Sequence, residues 1–178
     1  MLERIVSGGQ TGVDRGALDG AIAAGIAIGG WIPKGRKAED GAVPARYAGM
    51  REAPVSGYVW RTERNTIDSD ATLVLWPGDP KRLSGGTKRT VGFAERHGKP
   101  VRTFPLRHDF FALGGAAFWI HENGFKTLNV AGPRESKHPG IQSLAAGYVA
   151  ALAGKLRAFA ADDSAPGQFM AAEAEPAK

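Results

Sequence analysis

The 178-residue sequence contains no cysteine, which excludes disulfide bonds, thiolate-bound zinc or iron–sulfur clusters, and a cysteine nucleophile. It has no uninterrupted run of about 18 apolar residues, the length that spans a bilayer. The opening Met1-Leu2-Glu3-Arg4 lacks the apolar stretch of a signal peptide. We therefore expect a cytoplasmic protein that does not contact a membrane.

Acidic residues are scarce relative to basic ones in most of the chain. The formal net charge is +5, but the last seventeen residues carry −3, so the rest of the chain carries +8. A basic surface of this kind attracts nucleic acid or a small phosphorylated or oxyanionic ligand. Charge alone does not distinguish between these two kinds of partner.

Helical and strand patterns alternate over the first 160 residues. Strands are predicted at residues 2–7, 26–32, 70–76, 101–104 and 127–130, and helices at 11–25, 84–97, 110–123 and 140–159. Residues 34–64 predict a long loop with a short strand at 58–60, and a short helix follows at 64–68. This order predicts an α/β fold, a Rossmann-like three-layer sandwich with a mostly parallel central sheet. We expect residues 1–160 to form a single Rossmann-like domain and residues 161–178 to form a disordered acidic tail.

Three turns follow predicted strands and precede predicted helices. They are Gly8-Gly9-Gln10-Thr11, Ser84-Gly85-Gly86-Thr87 and Val130-Ala131-Gly132-Pro133. In a parallel sheet such turns gather at one edge, where helix N-termini direct free N–H groups toward an anion. The alternative is that the glycines serve only close packing of helix on strand. If the first turn binds a ligand, a Gly9→Val substitution should abolish binding and leave the fold intact.

Basic residues accompany these turns. Lys88 and Arg89 fall in the first turn of a predicted helix, where the helix dipole disfavours cations unless an anion binds there. Lys34 and Arg36 leave the second strand and could reach the same edge as a basic lid, and Arg134 follows the third turn. The alternative is that these side chains simply extend into solvent.

Acid–base candidates are Asp14, Asp68, Asp70 and Glu135. Asp14 lies in the first turn of a predicted helix, so a stabilising contact with the helix dipole is its simplest role. The four histidines show no metal-ligand spacing, and we predict no metal site. Trp31 and Trp76 lie near strand ends, where either could face a planar ligand.

Five segments in order resemble the molybdenum carrier family, relatives of the algal molybdenum cofactor carrier protein, in the SLOG superfamily of Rossmann-like nucleotide-binding proteins. They are SGGQTGVDRGALDGA, IPKGR, NTIDSDATLVL, SGGT and LNVAGPRES with its following PGI, within about residues 4–150. The resemblance implies a homo-oligomer, dimer or tetramer, that binds the molybdenum cofactor, a pterin phosphate, or a nucleotide. The ligand-binding residues that it implies are Gly8, Gly9, Gln10, Thr11, Gly85, Gly86 and Thr87, with Lys34, Arg36 and Arg134 approaching the anion.

Three functions follow from these observations. The first is a non-catalytic carrier of an anionic phosphorylated ligand, with Lys88 adding to the residues above. The second is a nucleoside monophosphate phosphoribohydrolase, which cleaves the N-glycosidic bond, with Asp14 or Glu135 as the acid–base group. The superfamily's hydrolases carry a catalytic glutamate three residues after their Gly-Thr pair, and Thr90 stands there in this chain. The third, nucleic-acid binding, is the least favoured.

Overall fold

A six-stranded parallel sheet forms the centre of the molecule, in a computed structural model that describes residues 1–107 and 112–164. The strands are β1 (Arg4–Val6), β2 (Ala27–Ile32), β3 (Lys37–Ala38), β4 (Gly41–Ala42), β5 (Met50–Glu52), β6 (Ala71–Trp76), β7 (Val101–Pro105) and β8 (Thr127–Ala131). The central sheet has the order β5-β2-β1-β8-β6-β7, and all its neighbouring pairs are parallel. Strands β3 and β4 form a separate antiparallel hairpin.

Helices cover both faces of this sheet. They are α1 (Val13–Ala23), α2 (Tyr58–Ile67), α3 (Gly85–Arg96), α4 (Leu113–Glu122) and α5 (Ile141–Ser164), with short 3₁₀ helices at Lys34–Arg36 and Pro80–Arg82. Helices α1, α4 and α5 pack together on one face, and α2 and α3 pack together on the other. The structure thus confirms the predicted α/β, Rossmann-like three-layer arrangement.

The main hydrophobic core lies between the sheet and helices α1, α4 and α5. Ile5, Leu73 and Leu128 are fully buried there against Val13 of α1 and Tyr148 of α5. Helices α1 and α5 approach closely because α1 carries glycines at their contact. A Cβ atom at Gly16, for example, would lie 2.3 Å from the carbonyl oxygen of Gln142.

The sequence predicts only the last turn of helix α2, as the short helix at 64–68, and places a strand at 58–60 and a loop where the rest of the helix lies. Its buried side chains are Thr62, Asn65 and Thr66, so the apolar repeat that normally indicates a helix is missing. Polar contacts replace apolar packing: the Asn65 side chain accepts a hydrogen bond from the Trp31 N–H at 2.6 Å and donates one to the Trp31 carbonyl at 3.1 Å.

Helix α5 extends to Ser164 and so includes the first four residues of the expected tail. The tail from residue 165, together with residues 108–111 at the start of the predicted fourth helix, lies outside the described residues. Within the described ranges, Ile141–Asp162 has the length and mean hydropathy, 1.2, of a membrane-spanning helix, although polar residues interrupt its apolar sequence. Its hydropathy includes many alanines, and its buried face packs on α1 and α4 as in the core helix of a globular domain.

Candidate functional site

A cavity of about 450 Å³ opens at the carboxyl ends of β1, β8 and β6. These three strands are adjacent because β8 lies between β1 and β6, although it follows both in sequence. The turns after the three strands therefore meet at one place, as the sequence predicts. Of the ligand-binding residues implied by the resemblance and the acid–base candidates, those that line the cavity are Gln10, Thr11, Asp14, Gly85, Gly86, Thr87 and Arg134.

The N-terminus of α3 is open toward this cavity. The Ser84 side chain makes no capping hydrogen bond, and the first turn contains no acidic residue. Cβ atoms placed at Gly85 and Gly86 would meet nothing within 4 Å. Among the described residues, no side chain caps the first amides of this helix, so they remain available to an acceptor from outside.

The N-termini of α1 and α5 are instead closed by the protein itself. The Val13 N–H of α1 donates to the Pro133 carbonyl at 3.0 Å, and a Cβ atom at Gly12 would lie 2.4 Å from the same oxygen. At α5, the Glu135 carboxylate accepts hydrogen bonds from the N–H groups of Gly140 and Gln142. Glu135 therefore caps a helix and lies outside the cavity lining.

A buried ion pair lies at the base of the cavity. Arg61 of α2 places its Nη1 atom 3.5 Å from Oδ2 of Asp14, and the two side chains are only 12% and 10% exposed. Burial raises the pKa of Asp14, although the charge of Arg61 and the Gln10 N–H oppose that increase. Burial likewise lowers the pKa of Arg61, which the charge of Asp14 opposes. Removing both charged groups from water costs free energy, and the attraction between Asp14 and Arg61 offsets part of that cost.

Two buried donors near this pair have no partner among the described residues. They are Nε of Arg61 and Nε2 of Gln10, and both residues line the cavity. The Gln10 amide oxygen is already used by the N–H groups of Thr11 and Glu39. Unsatisfied buried donors are rare in folded proteins, and a bound water or a ligand normally completes their bonding.

Aromatic side chains also contribute to the cavity wall. The Tyr58 ring lies 5.8 Å from the Arg61 guanidinium carbon and 5.2 Å from that of Arg134. Trp76, at the end of β6, packs edge-on against His138, with ring centroids 6.2 Å apart. The cavity therefore offers both cations and aromatic surface to a ligand.

Several predicted site residues lie outside the cavity lining. The Arg61 guanidinium occupies the space beside Gly8, where a Cβ atom would be 1.6 Å from Nη1. A Cβ atom at Gly9, whose φ is +67°, would lie 3.0 Å from side-chain atoms of Ile32 and Val43. Gly9 therefore packs closely against Ile32 and Val43, and a Gly9→Val side chain would enter this contact, so the variant tests packing as well as ligand binding.

The predicted basic lid does not cover the cavity. The Arg36 guanidinium donates to the carbonyls of Val43 and Pro44 at 2.9 and 3.0 Å and so fixes its own loop. Lys34 and Lys88 are exposed away from the lining, whereas Arg89 lines the cavity in place of Lys88. Charge in the sequence does not indicate the direction in which a side chain points.

Tyr58 and Arg61 are absent from the predicted site because the sequence predicts strand and loop, in place of helix, at their positions. The spacing of Tyr58, Thr62 and Asn65, four and three residues apart, is a helical signal that could have indicated a polar buried face.

Within residues 1–107 and 112–164, no group of three or more histidine, aspartate or glutamate side chains could hold a metal ion.

Comparisons with known proteins agree with this architecture. Residues 5–153 match the model of the circularly permutated YpsA SLOG family. The chain is also similar to the crystal structure of a protein from Syntrophus aciditrophicus SB that is named as a candidate molybdenum carrier protein. The two are 42% identical with a TM-score of 0.72, and the match covers 84% of this chain and 94% of that one. No curated protein sequence matches the chain significantly.

Proposed function

Because the chain belongs to the circularly permutated YpsA SLOG family, we propose that its cavity binds an anionic phosphorylated ligand, the molybdenum cofactor or a nucleotide. In this proposal the protein carries the ligand without breaking a bond. The observation that supports it most directly is the uncapped N-terminus of α3, which faces the cavity. The name of the Syntrophus aciditrophicus relative favours the molybdenum cofactor as cargo.

The proposed binding mode assigns one task to each part of the cavity. Phosphate oxygens accept hydrogen bonds from the first amides of α3, where the helix dipole also favours negative charge. Arg89 and Arg134 supply the compensating positive charge. The planar part of the ligand packs against Tyr58 and Trp76, and the cavity volume of about 450 Å³ lies in the usual range for small-molecule sites.

Calorimetric titration with AMP and with adenosine tests the proposal. AMP should bind at least about tenfold more tightly than adenosine, because only AMP offers an anion to the amides. A Gly86→Asp substitution places a carboxylate where the phosphate is expected and should abolish AMP binding. Gly92→Asp is the matched control, since Gly92 also lies in α3 with open space at its Cβ position but does not line the cavity.

Two results of this titration would contradict the proposal. The first is equal affinity for AMP and adenosine. The second is unchanged AMP affinity in a folded Gly86→Asp variant.

A second function, hydrolysis of a nucleotide N-glycosidic bond, has one specific observation in its favour. Asp14 is a carboxyl group of raised pKa that lines the cavity, which suits a general acid or base. The superfamily's catalytic glutamate is absent, and the hydroxyl of Thr90 at that position donates within α3 to the Gly86 carbonyl. Incubation with AMP followed by chromatography decides the matter: adenine released in proportion to protein and lost in Asp14→Asn would replace the carrier proposal.

We also propose that the carrier acts in the cytoplasm as a homo-oligomer, a dimer or tetramer. Static light scattering after size-exclusion chromatography tests the assembly. A monomer at micromolar concentration would contradict it.

A further inference from the structure

Glu39 lies at the tip of the β3–β4 hairpin, and its carboxylate reaches into a corner between the first and third turns of the cavity. Oε1 accepts hydrogen bonds from the Thr11 hydroxyl and, at 3.4 Å, from the Ser136 N–H. Oε2 accepts from the Ser136 hydroxyl at 2.8 Å and lies 3.6 Å from Nη1 of Arg134. We call the group of donors on Thr11, Ser136 and Arg134 the Glu39 corner.

The Glu39 corner has the composition of an anion site. It collects two hydroxyl donors, one backbone amide and one guanidinium around a single negative group. Two of its members, Thr11 and Arg134, also line the cavity, so the corner is continuous with the proposed ligand site. The Glu39 side chain is only 19% exposed, and the anion that satisfies these donors belongs to the protein itself.

The Glu39 carboxylate can leave the corner while the hairpin stays in place. Asp40, the next residue, makes two hydrogen bonds of 2.6 and 2.7 Å with the Arg15 guanidinium. Arg15 in turn donates through Nε to the Gly9 carbonyl at 3.1 Å. The hairpin is therefore anchored independently of the Glu39 side chain, whose rotation about its own bonds is sufficient to open the corner.

We propose that the Glu39 corner is a second anion subsite of the cavity, which the Glu39 carboxylate closes in the free protein. A ligand with two separate anionic groups places one at the N-terminus of α3 and displaces Glu39 from the corner with the other. Glu39 thereby lowers the affinity for anions at the corner until such a ligand competes with it. This inference rests on the proposed function for its first subsite; the corner shares Arg134 with that subsite, whereas Glu39 and Ser136 belong to the corner alone.

The experiment measures the number of inorganic phosphate ions bound per chain by equilibrium dialysis. The wild-type protein should bind one phosphate, at α3. The Glu39→Gln substitution removes the competing charge. The affinity of this variant for a second phosphate should be at least about tenfold higher than that of the wild type. The matched control is Glu63→Gln, the same charge change on α2 at a residue that pairs with His97 and Arg96.

Two double variants locate the sites. Glu39→Gln with Ser136→Ala should weaken the second phosphate at least about threefold, because the corner loses a hydroxyl donor. Glu39→Gln with Gly86→Asp should keep only the corner phosphate. A wild-type protein that binds no phosphate, beside a Glu39→Gln variant that binds one, would overturn the proposed function while supporting the subsite.

The subsite is overturned by any of three results: no more phosphate bound by Glu39→Gln than by the wild type, an equal gain in Glu63→Gln, or an added phosphate that Ser136→Ala does not weaken. Circular dichroism and the melting temperature establish that Glu39→Gln is folded. Glu39→Ala is the second variant, with the same expected number of bound ions.

Discussion

The N-termini of α3 and α5 both follow a strand of the same sheet edge, yet their amides have different partners. At α5, the Glu135 carboxylate binds the N–H groups of Gly140 and Gln142. At α3, Ser84 makes no capping bond, and two glycines leave the first turn open to the cavity. The difference shows that a turn between strand and helix creates an anion site only where the chain leaves amides without an acceptor.

Helix α1 resembles α5 in this respect, because the Pro133 carbonyl binds its Val13 N–H. Of the three helix N-termini that follow β1, β6 and β8, only that of α3 is thus left without a capping group among the described residues. Both oxygens of Glu135 accept hydrogen bonds from helix amides, and the residue does not line the cavity, so capping α5 is its simplest role.

The largest expected effect comes from adding one methyl group at a closed and at an open N-terminus. Gly12→Ala should lower the free energy of unfolding by about 3 kcal/mol or more, because the methyl group would lie against backbone at an unfavourable positive φ. Gly86→Ala should change it by less than about 1 kcal/mol in either direction, because its Cβ position meets nothing. Urea denaturation measures both, and equal losses would contradict the distinction between closed and open ends.

A smaller effect is expected when the cap of α5 is removed. Glu135→Ala should lower the free energy of unfolding by about 1 to 2 kcal/mol, the usual cost of losing an N-terminal cap, and should leave AMP affinity unchanged. The control is Glu95→Ala on the exposed surface of α3, for which a change within about 0.5 kcal/mol is expected. Weaker AMP binding in a folded Glu135→Ala variant would place Glu135 in the ligand site after all.

The smallest expected effect is the pH dependence of the stability of the β3–β4 hairpin, whose Glu39 side chain contacts Thr11 in the first turn. Burial raises the pKa of Glu39, but hydrogen bonds from Thr11 and Ser136 outweigh it and hold that pKa below its usual 4.5. The Arg15 guanidinium likewise holds the pKa of Asp40 below its usual 3.8. Groups with lowered pKa values stabilise the fold above their unfolded pKa, and this stabilisation is lost as the pH falls through the folded value.

Hydrogen-exchange protection of residues 36–43 should therefore fall between pH 5 and pH 3, while that of the α3 interior does not. The corresponding free energy is under about 1 kcal/mol, because Asp40 is half exposed. Asp40→Asn should reduce the pH dependence. Equal pH responses of hairpin and α3 would indicate global unfolding instead of local release of the hairpin.

The sequence predicts well those elements whose buried faces are apolar. Strand β6, with its continuous run Ala71–Trp76, and helix α1, with Val13 and Ala17 on one face, lie within two residues of their predicted bounds. Helix α2 is predicted only over its last turn because its buried face is polar. The convergence of three turns follows from the strand–helix order, whereas the Arg61–Asp14 pair depends on α2 and could not be predicted without it.

The candidate site shows the same division. Gly85, Gly86 and Arg134 are predicted from glycine spacing and charge near strand ends, and they line the cavity. Arg36 has the same sequence signal but bonds to its own loop. Glu135 stands five residues before the predicted helix start at 140, outside the N-cap position, so the sequence alone does not indicate that it caps the helix.

The Asn65 side chain gives α2 an attachment that apolar packing does not provide. Its amide group meets both polar backbone atoms of Trp31, as the next strand of a sheet would. Such a two-point link fixes how far the helix can roll about its long axis. The Tyr58 ring and the Arg61 guanidinium are therefore held in position by a fixed helix. This side of the pocket is preorganised in the absence of ligand.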